Sequence, residues 1–411
     1  MYYTLLFYQT ALLKVANDLL LAADNGLEAC LVLLDFSSAF DCLDHATLFN
    51  RLETCYGIKG SALEWIKSYL SGRFQRVTVM GSLSQSFPLR WGVPQGSVVG
   101  PLLFTLYTGP LCHVISSHHG IQHAMYADDT QLYLVMRADV GERRDAISRL
   151  SDCVHDVKKW SSTNNLKLNE AKTEMLHISS RFRQQTGDFP PLDLSGVCVQ
   201  KSECIRDLGV IFDKHLSLAQ HIRNKCRAAS WGIARIGRIR KYLDNPATEK
   251  LIHAFVSSHL DYCNSLLAGL PQSHIAPLQR IQNTAARLVT RTKKSEHITP
   301  IIQSLHWLPI QERIVFKILL LVYKAIHNQA PSYLQNLISL RSSLASSASR
   351  RLRSHATAHL QLLPGPRTKT RYGDRSFTVI APKLWNNLPI YIREAPTLES
   401  FKSLLKTHLF P

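Results

Sequence analysis

Residues 121–135 read IQHAMYADDTQLYLV, so Asp128 and Asp129 stand side by side between two apolar runs. Adjacent carboxylates repel one another, and neither belongs in apolar surroundings without compensation. A third carboxylate, Asp35, closes the apolar run LEACLVLLDF. If neighbouring strands of one sheet bring these tips together, three carboxylates converge and need a counter-charge. Mg²⁺, a hard cation that prefers carboxylate and phosphate oxygens, would supply it. Two such ions about 4 Å apart can bind the attacking and leaving oxygens of an in-line phosphoryl displacement. Read alone, an Asp-Asp pair fits a solvated turn at least as well, and these residues by themselves leave both readings open.

Such chemistry needs elements to hold the tips. Residues 29–34 are apolar throughout and predict a short, fully buried strand ending at Asp35, while the runs flanking Asp128 predict a hairpin. Asp44 is placed to N-cap a helix reaching Cys55, and SALEWIKSYL predicts another helix after Gly60. FQRVTVM alternates as a strand and turns at Gly81-Ser82 toward SFPLRW. A helix is expected over 98–107, a long amphipathic helix over 139–165, and strands in LKLNEAKTEMLHIS and LGVIFD. Strands crossed by helices make an α+β sheet domain. From Ser217 the pattern turns helical, with Ser217 and Gln220 as a capping box and Asn245-Pro246 opening a further helix. Residues 341–372 are rich in Ser and Arg and read as a linker.

The formal charge of +18 is uneven. Residues 1–180 hold 15 Lys/Arg against 17 Asp/Glu, and residues 181–411 hold 33 against 13. A half with that excess points to a polyanion, most simply nucleic acid, or to a merely solvated basic surface. Nine cysteines without a C-x-x-C pair argue against a zinc knuckle or a disulfide scaffold. His118, His119 and His123 lack a metal-binding pattern and read as loop residues. No secretory signal is visible. Residues 91–127 carry no charged side chain, yet repeated Pro and Gly break them, so a membrane span is not expected.

LVLLDFSSAFD, GVPQGSVVGPLLFTLY, YADD and LKLNEAKTEML, in that order and spacing, resemble the palm motifs of reverse transcriptases. The nearest likeness is to non-LTR (LINE-type) retrotransposon polymerases of the jockey and chicken-repeat type, to which DCLDHATL and DYCNSLLAGLP add detail. The resemblance implies a polymerase palm with partial fingers over 1–215, a basic, all-α, thumb-like region over 216–300, and a C-terminal helical region over 301–411. It implies an RNA-directed DNA polymerase that uses two Mg²⁺ ions, an RNA template, a DNA primer and dNTPs.

Carried over position by position, the resemblance makes Asp35 and Asp128 ligands of both metals, with the Phe36 carbonyl as a further ligand. Asp129 would assist the metal that activates the primer 3′-hydroxyl. Phe40 would lie under the sugar and exclude a 2′-hydroxyl, unless it is a plain core aromatic. Gln95 and Gly96 would form the loop under the nascent base pair, although P-Q-G also suits a strand-to-helix turn. Lys172 would neutralise charge at the nucleotide phosphates or protonate pyrophosphate, unless it is merely a solvated surface lysine. Asp41 and Asp44 are expected in turns and caps. In the basic region, Arg223, Lys225, Arg227, Arg235, Arg238, Arg240 and Lys241 would track phosphates, with Trp231 and Trp307 expected in helix packing.

Only 34 residues precede Asp35, so the resemblance also implies an N-terminally truncated copy lacking an endonuclease, with weakened triphosphate binding. A retrotransposon protein is expected in nucleus and cytoplasm and is not secreted. The alternative is an inactive remnant that only binds nucleic acid. An RNA-dependent RNA polymerase is disfavoured by Phe40 and by the Y-A-D-D form of the turn.

Overall fold

The strand Glu28–Leu34 is buried at six of its seven positions, as the apolar run that follows Glu28 requires of a central strand covered on both faces. The computed structural model describes residues 2–180, 189–194, 196–341 and 360–410, with side chains from residue 8. Glu28–Leu34 pairs antiparallel with Asp129–Met136 on one side and Glu174–Ile178 on the other. Ile121–Tyr126 extends the sheet antiparallel beyond Asp129–Met136, and Lys201–Ser202 closes the other edge. That last pairing is parallel, whereas the other three are antiparallel.

The helix Val140–Thr163 starts where the Asp139 side chain accepts from the amides of Gly141 and Glu142. It buries Ile147, Leu150, Val154 and Val157 in one cluster with Cys30, Val32, Leu34, Leu132 and Leu134 of the sheet. Phe104 and Tyr107 of the helix Gly100–Thr108 complete that core. Residues 74–88 turn back on themselves near Gly81-Ser82 as expected, but the alternating strand FQRVTVM is broken into short pieces. They form two short ladders, Phe74–Gln75 with Phe87–Pro88 and Thr78–Val79 with Ser82–Leu83, with every side chain exposed.

Glu28 anchors the end of its strand remote from Asp35. Its carboxylate takes two hydrogen bonds from Arg143, at 2.8 and 2.9 Å, and lies 3.0 Å from His177 Nε2. The His177 ring stacks on Phe189 at 4.0 Å. Three elements are thus tied together by one buried carboxylate.

Contacts divide the chain into residues 27–205 and a second unit made of 1–26 with 206–411. The division differs from the expected borders at 215 and 300. The reason for the first helix, Tyr2–Asp24, is chemical. Buried Asp24 accepts from the amides of Lys369 and Thr370 and from the Thr370 hydroxyl, and Asn17 Oδ1 accepts from Thr378 N and Oγ1. The helices Ala219–Ile239, Gln272–Thr290 and Ile310–Ile326 belong to the same unit, with no break at 300. The capping box expected at Ser217 is replaced. Asp213 accepts from Ser217 N, Ser217 Oγ and Leu218 N, and the helix begins at Ala219 after Leu218 in the left-handed region. Most of the expected 341–372 linker lies outside the described residues. No helix among the described residues is long and apolar enough to cross a membrane.

Burial pushes the Glu28 carboxyl up, but hydrogen bonds from His177 and Arg143 outweigh it and bring it down to about 2. A depressed carboxyl stabilises the fold above its unfolded value of 4.5 and loses that contribution as pH falls toward 2. The amount is on the order of 3 kcal/mol. Denaturant titrations over that range should show the loss in the native chain, and Glu28→Gln should flatten it. An unchanged slope in Glu28→Gln would place the acid sensitivity elsewhere.

Candidate active site

Leu34 stands opposite Thr130 in the sheet, so the next register position sets Asp35 beside Asp129. Tyr126 pairs with Asp129, leaving Ala127 and Asp128 as a two-residue turn. Ala127 holds φ +50, a left-handed conformation unusual for a residue with a side chain. The strained turn thereby delivers two carboxylates at the strand end where Asp35 emerges.

Part-burial, followed by the charges of Asp128 and Asp35, pushes the Asp129 carboxyl up to about 6. The residue remains open to solvent on one side, so water screens part of that crowding. Asp35 has found partial compensation. Its Oδ2 lies 3.3 Å from Lys172 Nζ and accepts from Asn169 Nδ2, while its carbonyl accepts from Asn169 N. With Lys172 69% exposed, this ion pair is worth no more than about 1 kcal/mol and opens cheaply.

Oxygen donors of this kind suit a hard divalent cation, which would offset both the part-burial and the like-charge crowding that hold the Asp129 carboxyl up. The tips are neighbours without yet forming one shell. Among the described residues, no three His, Cys, Asp or Glu side chains gather closely enough to hold a single ion. Phe36 buries its ring and pairs with Leu168.

Phe40 is half-buried with its ring 5.1 Å from Phe104, so it is both a core aromatic and a residue with an open edge. The loop that carries it is strapped to the Gln95 loop. Val93 N donates to Phe40 O, Gly92 N to Leu43 O, and His45 Nε2 lies 2.8 Å from Gly92 O. Gly92 is required there, because at φ +80 a Cβ would meet the Asp41 carbonyl oxygen at 2.9 Å. Gln95 Nε2 lies 3.0 Å from both carboxylate oxygens of Asp41. Asp41, expected only in a turn, therefore orients the Gln95 amide and leaves its oxygen free to accept. Gly96 follows Gln95 in the same loop. Its surroundings are open, and what calls for glycine is its φ of +78.

Sequence reasoning missed Asn169, His45 and Gly92. Asn169 sits inside the LKLNEAKTE motif and could have been found there. The roles of His45 and Gly92 depend on contacts 47 or more residues apart and left no local signal. Asp44 caps His45–Thr54 as expected, accepting from Thr47 N. Of the histidines expected in a loop, His118 lies 3.0 Å from Asp156, and His123 is instead part of the strand Ile121–Tyr126.

The basic residues lie in the other unit. Arg223, Arg227, Arg235, Arg238 and Lys241 are exposed. Arg240 is not. It is buried and donates to the carbonyls of Leu288, Val289 and Leu243 and to Asn245, clamping helix ends rather than reaching phosphates. Lys225 is half-buried with its ammonium 4.0 Å above the Tyr262 ring. Trp307 is buried, its Nε1 donating to Glu249, whereas Trp231 is 69% exposed, contrary to expectation. Helical spacing places Trp231 on one face with Arg223, Arg227, Arg235 and Arg238.

Asp129 should titrate near 6 by carboxyl-resolved NMR, and Asp128→Asn should bring it down. A raised carboxyl favours folding at low pH, so this group's contribution fades as pH rises through 6, opposite in sign to that of Glu28. An Asp129 left unmoved by Asp128→Asn would show that these carboxylates do not interact.

Residues 8–212 match the family described as reverse transcriptase (RNA-dependent DNA polymerase). The probable RNA-directed DNA polymerase from transposon X-element of Drosophila melanogaster is 28% identical over 285 residues, covering 67% of this chain and 30% of that relative. The RNA-directed DNA polymerase from mobile element jockey of the same species is 25% identical over 286 residues, with the same coverage. The chain thus spans about a third of the length of these curated relatives. Among solved structures, apo telomerase from Candida tropicalis is similar over 49% of this chain and 38% of its own, at 13% identity and a TM-score of 0.34. Through its matching domain the chain belongs to the reverse transcriptase family, and the relatives it resembles are RNA-directed DNA polymerases of mobile elements.

Proposed function

We propose that the chain acts as an RNA-templated DNA polymerase, extending a primer 3′-end with deoxynucleotides. One observation carries this reading: Asp35 emerges beside the turn that presents Asp128 and Asp129, on the neighbouring strand of the same sheet. Membership in the family supports use of divalent ions and binding of a template and primer, and Mg²⁺ is our proposal for the ion. Asp35, Asp128 and Asp129, with the Phe36 carbonyl, would hold two such ions. When bound, these would supply Lewis-acid stabilisation of the attacking and leaving oxygens.

The remaining work falls to side chains already in place. Lys172, freed from Asp35, would set its ammonium against the nucleotide phosphates and offset charge on the departing pyrophosphate. Gln95, its nitrogen occupied by Asp41, would present its amide oxygen beneath the nascent base pair. Phe40, backed by Phe104, would fill the space a 2′-hydroxyl needs. The exposed arginines of the helix Ala219–Ile239 would take phosphates of the template-primer without reading sequence.

That arginine row is independent of the carboxylates, and it favours a second reading in which the chain only binds nucleic acid. Primer extension on poly(rA)/oligo(dT) separates the two. Incorporation should require both template and Mg²⁺ and fall more than about a hundredfold in Asp128→Asn. Equal incorporation by that variant would remove the polymerase reading. Salt-sensitive binding without incorporation would leave the second.

A further inference from the structure

Asp35 is the one residue between two ladders. Glu28–Leu34 ends before it, and Phe36–Ser37, which pairs antiparallel with Lys167–Leu168, begins after it. Neither ladder includes it, and Asn169 holds it from two points instead. The register that sets Phe36 opposite Leu168 brings Asn169 opposite Asp35, and the Asn169 backbone amide donates to the Asp35 carbonyl at 2.8 Å. The side-chain Nδ2 of Asn169 donates to Asp35 Oδ2 at 3.3 Å. An ionised carboxylate only accepts, so the nitrogen of the amide must be the atom that faces it. Asn169 is itself anchored. Its carbonyl accepts from Lys172 N at 3.1 Å and from the Oγ1 of buried Thr173 at 3.2 Å. Glu170, next in the turn, pairs with Lys158 of the helix Val140–Thr163 at 2.6 Å.

We propose that Asn169 is a positioning residue for Asp35, holding one carboxylate oxygen so that the other is available to a divalent cation. The inference rests on the metal-site part of the polymerase reading. Two donors reach Oδ2, and they differ in kind. Lys172 brings a charge that competes with a cation for the same carboxylate, on a side chain 69% exposed that swings away easily. Asn169 brings no charge, is half-buried, and leaves the carboxylate its full negative charge. When Lys172 turns to the nucleotide phosphates, Asn169 is the donor that stays. A carboxylate fixed by such a neutral donor loses less freedom on taking an ion, and so takes it more tightly.

Mn²⁺ binding to the full chain, read by electron paramagnetic resonance, tests the assignment. Asn169→Ala removes Nδ2 and keeps the backbone donor, and it should raise the Mn²⁺ dissociation constant about tenfold. Lys172→Ala removes a competing charge at the same oxygen and should lower that constant about twofold. In primer extension, the Mg²⁺ needed for half-maximal incorporation by Asn169→Ala should rise by a similar factor, with the rate recovered at saturating Mg²⁺, a split that a collapsed turn would not give. Without metal, the side-chain amide resonances of Asn169 should move on Asp35→Asn, and resonances that stay in place would overturn the proposal. Unchanged Mn²⁺ affinity in Asn169→Ala would also overturn it. So would equal weakening in Lys172→Ala, which would assign the effect to the turn as a whole. A chain that binds Mn²⁺ in this Asn169-dependent way yet incorporates no nucleotide would refute the polymerase reading and leave this one standing.

Discussion

Like charges crowded at the end of two neighbouring strands are the constraint on which the sheet unit turns. Asp35 leaves Glu28–Leu34 where Asp128 and Asp129 turn into Asp129–Met136, and the register of those strands makes the meeting unavoidable. Glu28, at the opposite end of the same central strand, shows what a paired carboxylate looks like. Arg143 and His177 overcome its burial and bring it down to about 2. Asp129, part-buried and with two carboxylates near it, rises to about 6. Residues of the same chemical class at the two ends of this sheet thus shift in opposite directions, one paired with cations and one part-buried among carboxylates without one. Lys172 offsets part of that crowding through a weak, exposed pair with Asp35.

The second feature that organises the unit is the strap between two loops far apart in sequence. Phe40, Asp41 and Leu43 meet Gly92, Val93 and Gln95 through backbone hydrogen bonds and the Asp41 carboxylate. Phe40 and Gln95, proposed to sort the sugar and to support the base pair, would therefore move together, as one rigid piece backed by Phe104. Preorganisation of this sort matters because catalytic groups lose effect rapidly when misplaced.

Much of this was legible in the sequence, and the limits are physical. The central strand, the hairpin, the Asp44 cap and the long helix after Asp139 follow from local periodicity and capping chemistry. What escaped depends on distant partners. Arg240 reads as one cation in a basic helix, but its hydrogen bonds go to carbonyls 48 and 49 residues away, which bury it. Trp231 reads as a packing residue, yet its helical face carries arginines and stays exposed. Tyr2–Asp24 continues directly into the central strand, while its Asp24 is tied to backbone more than 340 residues further on. Asp41 looked like a turn residue because nothing local marks a contact with Gln95, 54 positions later.

Direct titration of metal onto the carboxylate cluster is the closest test of the account. Mn²⁺ binding to the full chain, followed by electron paramagnetic resonance, should show ions that Mg²⁺ displaces. Asp35→Asn combined with Asp128→Asn should abolish these sites while leaving the thermal unfolding of the chain intact. Mn²⁺ binding undiminished in that double variant would contradict the claim that these carboxylates form the metal site.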